Sequence, residues 1–189
     1  MRIAVILSGG GGRRMGGADK GALKLLGERM IDRAAARLTP QVDRILISGP
    51  HDYGTGLTAL PDLEDGPLGP AAGLWAALKW IEENAPQADG FLTAPADGPF
   101  APDDLFKRLS AQGKCVIAAT AGGVHPTFAW WRNDALRAAL DAAPKGEGLS
   151  LKALAAEIGA RRVLFADEKA FLNINTPEDL KRAEDQLRG

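Results

Sequence analysis

Between Val5 and Gly21 the chain reads VILSGGGGRRMGGADKG, an apolar run followed by a loop that carries Arg13, Arg14, Asp19 and Lys20 among its glycines. Glycine costs backbone entropy when fixed, so this many in one loop implies that a ligand comes close to the main chain. Bare N–H groups beside three cations suit a polyanion, and the length of the loop suits a nucleoside triphosphate. A second stretch with chemical potential is PADGP, where Asp97 sits in a turn restricted by Pro95 and Pro99.

Two common phosphate loops fail letter by letter. A Walker loop requires G-x-x-x-x-G-K-[ST], yet Gly12 and Gly17 are followed by Ala18 and Asp19. The dinucleotide fingerprint G-x-G-x-x-G ends on Arg14 when begun at Gly9 and on Met15 when begun at Gly10. A hydride-transferring dehydrogenase is therefore disfavoured.

Strands and helices must position these groups. Ile3 to Leu7 reads as a strand buried on both faces. Met30, Ala34 and Leu38 recur at helical spacing with Pro40 as a stop, VDRILIS reads as a second strand, and LTALPD as a third ending near Asp62. Leu74, Ala77, Leu78 and Ile81 mark a helix, Phe91 to Ala94 a strand, and a short helix is expected to begin at Pro102 with acids in its first turn. CVIAA and TFAWW read as strands, with Trp130 and Trp131 on opposite faces. Two further helices follow, one on Leu136, Ala139 and Leu140, the other on Leu151, Leu154, Ala155 and Ile158, joined by APKGEGLS. The last helix has Thr176 as cap and Pro177 at its first position, with Leu180, Ala183 and Leu187 to dock it. Alternating strands and helices predict an α/β fold, a Rossmann-like three-layer α/β/α sandwich with a mostly parallel sheet, as one domain over 1–189.

The balance of 46% hydrophobic and 25% charged residues belongs to an ordinary globular chain. A net charge of -1 argues against a general grip on nucleic acid or an anionic membrane. Cys115 is the only cysteine, which excludes an internal disulfide and fits a reducing cytoplasm. The opening apolar run is too short for a membrane span, and no export signal is read.

LSGGGGRRMGGADKG resembles the signature of nucleotidyltransferases of the glycosyltransferase-A type, and by itself would suit many sugar or terpenoid nucleotidyltransferases. Together with LPD at Leu60, GPAAG at Gly69, PADGP at Pro95, HPTFAWW at His125 and NINTPEDL at Asn173, it is most similar to the molybdenum cofactor guanylyltransferases. The resemblance implies transfer of GMP from GTP to the terminal phosphate of molybdenum-molybdopterin, with release of pyrophosphate. Asp97 would hold Mg2+, an ion satisfied by one or two carboxylates plus water and phosphate oxygens. Arg14 and Lys20 would hold the β and γ phosphates, Arg13 would matter less, and Asp19 would brace the loop.

Leu7, Ser8 and Gly9 would offer main-chain groups to guanine, and Ser48 and Asp62 would complete the nucleotide pocket. The family often has asparagine where Ser48 stands and usually cysteine where Ala96 stands. Asn173 and Asn175 alternate on an extended stretch, so either they meet the pterin substrate together or they tie the last helix to the sheet. His125 is placed on the substrate side or in the structure, and no metal cluster surrounds it. Transient contact with cofactor-insertion proteins or molybdoenzymes is a further implication. The alternatives are a cytidylyltransferase acting on the same cofactor, and a non-catalytic nucleotide- or cofactor-binding module.

Overall fold

A computed structural model describes residues 1–8, 21–143 and 148–188. Gly9, Arg13, Arg14, Asp19 and Lys20, and the middle of the APKGEGLS connection, lie outside the described residues.

The first half of the chain supplies β1 (Ile3–Leu7), β2 (Lys24–Leu25), β3 (Glu28–Arg29), α1 (Met30–Leu38), β4 (Arg44–Ser48), β5 (Thr58–Leu60) and α2 (Pro70–Asn84). The second half supplies β6 (Gly90–Pro95), α3 (Leu105–Ser110), β7 (Cys115–Thr120), β8 (Gly123–Arg132), α4 (Asn133–Ala142), α5 (Leu151–Glu157), β9 (Arg161–Leu164) and α6 (Pro177–Arg188). Seven strands form one sheet in the order β5-β4-β1-β6-β8-β7-β9, and β2 with β3 forms a separate hairpin. β1 is parallel to β4 and β6, while β8 runs antiparallel to β6 and β7. The mostly parallel α/β sandwich expected from the alternating pattern is what forms.

Alternation along β1 divides the core. Ile3 and Val5 join α2, α4 and α5 on one face, whereas Ala4 and Ile6 join α1 and α3 on the other. A strand covered on both faces has no solvent side, which is why its sequence is apolar without interruption. The chain moves outward from β1 through β4 to β5, and α2 then carries it back to β6 on the other flank of β1. Ligand crevices open at the carboxyl ends of strands where the order reverses in this way.

Several boundaries differ from the sequence reading. β5 stops at Leu60, two residues short of Asp62, because Pro61 has no N–H to extend the ladder. α3 starts at Leu105 rather than Pro102: Leu105 N–H donates to the Pro102 carbonyl at 3.2 Å, so Pro102 to Asp104 form a turn and no acid lies in the first helical turn. Leu187 does not dock α6. Ala183 is fully buried against Leu25, Met30 and Ile174, but that small cluster stops short of the last turn and leaves Leu187 40% exposed. Trp130 and Trp131 do point to opposite faces, and both are core.

The hairpin of β2 and β3 and the edge strand β9 were not read from the sequence. The hairpin turns through Leu26 (φ 50°) and Gly27 (φ 85°), a two-residue loop with both central residues at positive φ. Asn-Gly would have signalled it; Leu-Gly does not. In β9 the useful sign was alternation, with Val163 and Phe165 packing on the α1 and α3 face and Leu164 between them 67% exposed.

Candidate active-site cleft

A cavity of about 570 Å³ opens where the carboxyl ends of β1, β4 and β6 meet. Its floor is made by backbone that prolongs the sheet. Ser8 N–H donates to the Ser48 carbonyl at 3.0 Å, and Ser8 Oγ donates to the same oxygen at 2.8 Å. Ala96 N–H donates to the Leu7 carbonyl at 3.0 Å. Leu7, Ser8 and Ser48 therefore share one wall with Pro95, Ala96 and Asp97.

The first turn of α2 closes this floor from one side. A Cβ on Gly73 would come within 2.0 Å of Ser48 Oγ, so helix and strand end meet with no room for a side chain. Gly69, just before the helix, has φ +74°, a conformation suited to glycine. Both glycines line the cavity, and so does Asp62 in the loop after β5.

Asp97 belongs to a tight turn in which Gly98 N–H donates to the Pro95 carbonyl at 3.1 Å. Only glycine fits after it, since a Cβ at Gly98 would lie 2.7 Å from the Phe128 ring and 2.9 Å from Pro95. The Asp97 carbonyl accepts from Ile174 N–H at 2.9 Å, which stitches the turn to the stretch before α6. Asn173 and Asn175, one on each side of Ile174, face the same cavity. Asn173 Oδ1 is buried with no hydrogen-bond partner among the described residues, a condition that costs about 1–3 kcal/mol.

Asp179 fixes that stretch, a role not read from the sequence. Thr176 caps α6 as expected, its Oγ1 accepting from Asp179 N–H at 3.1 Å. The Asp179 carboxylate reaches back to accept from Asn175 N–H and Thr176 N–H, each at 3.0 Å, and pairs with Arg182. Burial acts to raise this carboxyl, but the Asn175 N–H, Arg182 and Thr176 bonds outweigh it and hold it below the usual range. The T-x-x-D spacing of a capping box was the available signal.

His125 is drawn elsewhere. Its ring stacks on Phe171 at 4.8 Å, its Nε2 lies 3.0 Å from Thr120 Oγ1, and it is not among the residues that line the cavity. Burial pushes its pKa down, against an opposing pull from Glu168. The cause is a bulge: Ile117 pairs with Ala129 and Ala118 with His125, so Pro126, Thr127 and Phe128 are extra residues on β8. Pro126 and Thr127 thereby reach the cleft, while His125 stays in the ladder. Ser150, Leu151 and Lys152 at the start of α5 also line the cavity and were not read as site residues.

Of the expected site residues, Leu7, Ser8, Ser48, Asp62, Asp97, Asn173 and Asn175 thus come together, and His125 does not. Gly9, Arg14 and Lys20 are outside the described residues, although the loop that carries them leaves from Ser8 on the cavity wall. Among the described residues no group of three or more His, Cys, Asp or Glu side chains could enclose a metal, and no helix is long and apolar enough to cross a membrane. Cys115 is buried, and burial pushes its thiol up to about 12, which makes it a packing residue rather than a nucleophile.

Residues 4–170 match the model of the MobA-like NTP transferase domain. A protein of Cereibacter sphaeroides named molybdenum cofactor guanylyltransferase is 43% identical over 195 residues, covering 100% of this chain and 98% of that one. One of Acidiphilium cryptum with the same name is 43% identical over 190 residues, covering 96% and 93%. The crystal structure of molybdopterin-guanine dinucleotide biosynthesis protein A from Archaeoglobus fulgidus matches with a TM-score of 0.75 at 24% identity, over 100% of this chain and 99% of that one. A cleft at the reversal point of the sheet, with carboxylates and amides from separate segments turned into it, thus coincides with full-length relatives, and the chain belongs to the MobA-like NTP transferase family as a nucleotidyltransferase of molybdenum cofactor biosynthesis.

Proposed function

We propose that the protein transfers GMP from GTP to the terminal phosphate of molybdenum-molybdopterin. A phosphate oxygen of the acceptor bonds to the α-phosphorus of GTP, the bond to the bridging oxygen breaks, and pyrophosphate leaves with that electron pair. The observation that carries this reading is the convergence of Ser48, Asp62, Asp97, Asn173 and Asn175, remote in sequence, on one cavity of about 570 Å³. Its relatives' name, molybdenum cofactor guanylyltransferase, supports the choice of base and acceptor.

Repulsion between two phosphorylated substrates is the main obstacle, and positioned charge removes most of it. Arg14 and Lys20 hold the β and γ phosphates and steady the departing pyrophosphate. The main chain at Leu7, Ser8 and Gly9 meets guanine, with Ser48 and Asp62 on the same side. Asn173 and Asn175 offer amides to the pterin, and Asp179 keeps their backbone in place.

Asp97, with Asp62 on the same cavity, fits Mg2+, because that ion takes one or two carboxylates and fills its shell with water and phosphate oxygens. When bound, the ion supplies charge neutralisation for the triphosphate. Incubation with GTP, Mg2+ and molybdenum-molybdopterin is expected to yield guanylated cofactor and pyrophosphate. No guanylated product in that mixture overturns the reading, and product from CTP alone reassigns the base.

A further inference from the structure

Lys152 is the one cationic side chain among the described residues that line the cleft, where Asp62 and Asp97 supply the acids. Among the described residues it has neither an ion pair nor a hydrogen bond from its side chain. Its backbone, in contrast, is firmly held. Ser150 Oγ accepts from Ala153 N–H at 3.1 Å, Leu149 N–H donates to the Leu68 carbonyl at 3.1 Å, and Ala71 N–H donates to the Leu149 carbonyl at 3.3 Å. Leu151, Leu154 and Ala155 anchor the same helix in the core. A charge without a partner among the described residues, on a fixed base, thus lines the cavity.

Its flank of the cavity decides what it meets. Ser48 and Asp62 follow β4 and β5, on one side of β1, where the nucleotide is placed. α5 packs on β7 and β8, across β6, while its start is bonded to Leu68 and Ala71 beside the nucleotide wall. The helix that carries Lys152 thus links the two flanks, and the bulged Thr127 of β8 also lines the cleft. We infer that Lys152 binds the anionic phosphate group of the acceptor substrate and offsets its charge as it approaches the triphosphate. Lysine suits this task as a compact charge on a long stem that follows a moving oxygen. The inference rests on the proposed transfer reaction and adds a residue that determines affinity for its acceptor.

Steady-state rates with each substrate varied in turn test it on the whole protein, for the unaltered chain and for Lys152→Ala, Lys152→Gln and Lys152→Arg. Loss of one charge-assisted hydrogen bond corresponds to roughly a tenfold or greater rise in acceptor KM for the Ala and Gln variants. Nucleotide KM is expected to stay within about twofold, Arg is expected to recover most of the acceptor affinity, and the defect is expected to shrink as added salt screens the charge. Thermal melts of the four proteins report folding separately, and Lys152→Gln, which keeps most of the stem, stands in if Ala unfolds.

An unchanged acceptor KM in the Gln variant, or a rise confined to nucleotide KM, overturns the inference while leaving the transfer reaction intact. Absence of product with the unaltered chain overturns the reaction itself, and the inference falls with it.

Discussion

The two ends of the central sheet treat their charged residues in opposite ways. At the amino-terminal ends of β1, β4 and β6 they satisfy one another: Arg2 pairs with Asp43 at 2.7 Å, Arg132 with Asp134 at 2.7 Å, and Arg137 with Glu82. The Arg2 and Arg132 guanidiniums hold the Asp43 and Asp134 carboxyls below the usual carboxylate range. A smaller cavity of about 310 Å³ lies there, lined in part by Arg132, Asp134 and Glu82 from these pairs. At the carboxyl ends, Asp62 and Lys152 have no ion pair among the described residues, and both face the larger cavity. Paired surface charges contribute little to stability. The contrast teaches that charges at one end of the sheet neutralise one another, while Asp62 and Lys152 at the other stand on the cleft without an ion pair among the described residues.

Substitutions at the carboxyl end should therefore reduce turnover, and those at the other end should not. Asp97→Ala is expected to lower the rate on the order of a hundredfold or more, the scale for losing one electrostatic stabiliser, and Lys20→Ala, outside the described residues, is expected to cost as much. Full turnover of either in the pyrophosphate-release assay would erase the distinction between the ends. Gly73→Ala comes next, because its methyl group would lie 2.0 Å from Ser48 Oγ and 3.1 Å from Ser48 Cβ, so the hydroxyl must turn away and the helix must give by a few tenths of an ångström. A loss of about 1–3 kcal/mol in denaturant unfolding, with weakened nucleotide binding, is expected; an unperturbed protein would mean that the floor yields easily.

Smaller effects sharpen the comparison. Asp179→Ala removes the reach-back bonds to Asn175 and Thr176, so stability should fall by about 1 kcal/mol and acceptor KM should rise. His125 binds its proton less readily folded than unfolded, so lowering the pH through about 6.5 should cost stability that His125→Gln does not lose. Equal melting shifts in both proteins between neutral pH and about pH 5 would contradict the buried, structural placement of this ring. Smallest of all, Arg132→Ala should leave turnover unchanged in the same assay, since its partner Asp134 is exposed and remote from the cleft.

Legibility followed the range of the interaction. β1, the Asp97 turn and the Thr176 cap are written in short stretches, where a few adjacent residues decide the outcome. Asp62 was singled out through its motif and lines the cavity, but the end of β5 at Leu60 was not legible, because Pro61 competes with a pattern that otherwise favours strand. The sequence leaves open the choice between the two readings of His125 and does not reveal Lys152, for one reason: their positions depend on contacts between distant segments. Three extra residues in β8 place Thr127 in the cleft and His125 outside it. Lys152 reaches the cleft on a helix whose start is held by bonds between Leu149 and Leu68, distant from each other in the chain. Alternation and helical spacing carry no record of such meetings.

Adjacent tryptophans on one strand give the protein an internal pair of optical reporters. Trp131 is sealed in the layer beneath α2, with its indole N–H donating to Thr93 Oγ1 at 3.1 Å, while Trp130 lies in the opposite layer with the Phe106 ring 5.6 Å away. Trp75 and Trp80 share the layer of Trp131, so replacing Trp130 by phenylalanine leaves fluorophores in that layer alone, whereas replacing Trp75, Trp80 and Trp131 together leaves Trp130 as the reporter of the other. Emission during unfolding would then report whether the two halves of the interior melt together or in turn.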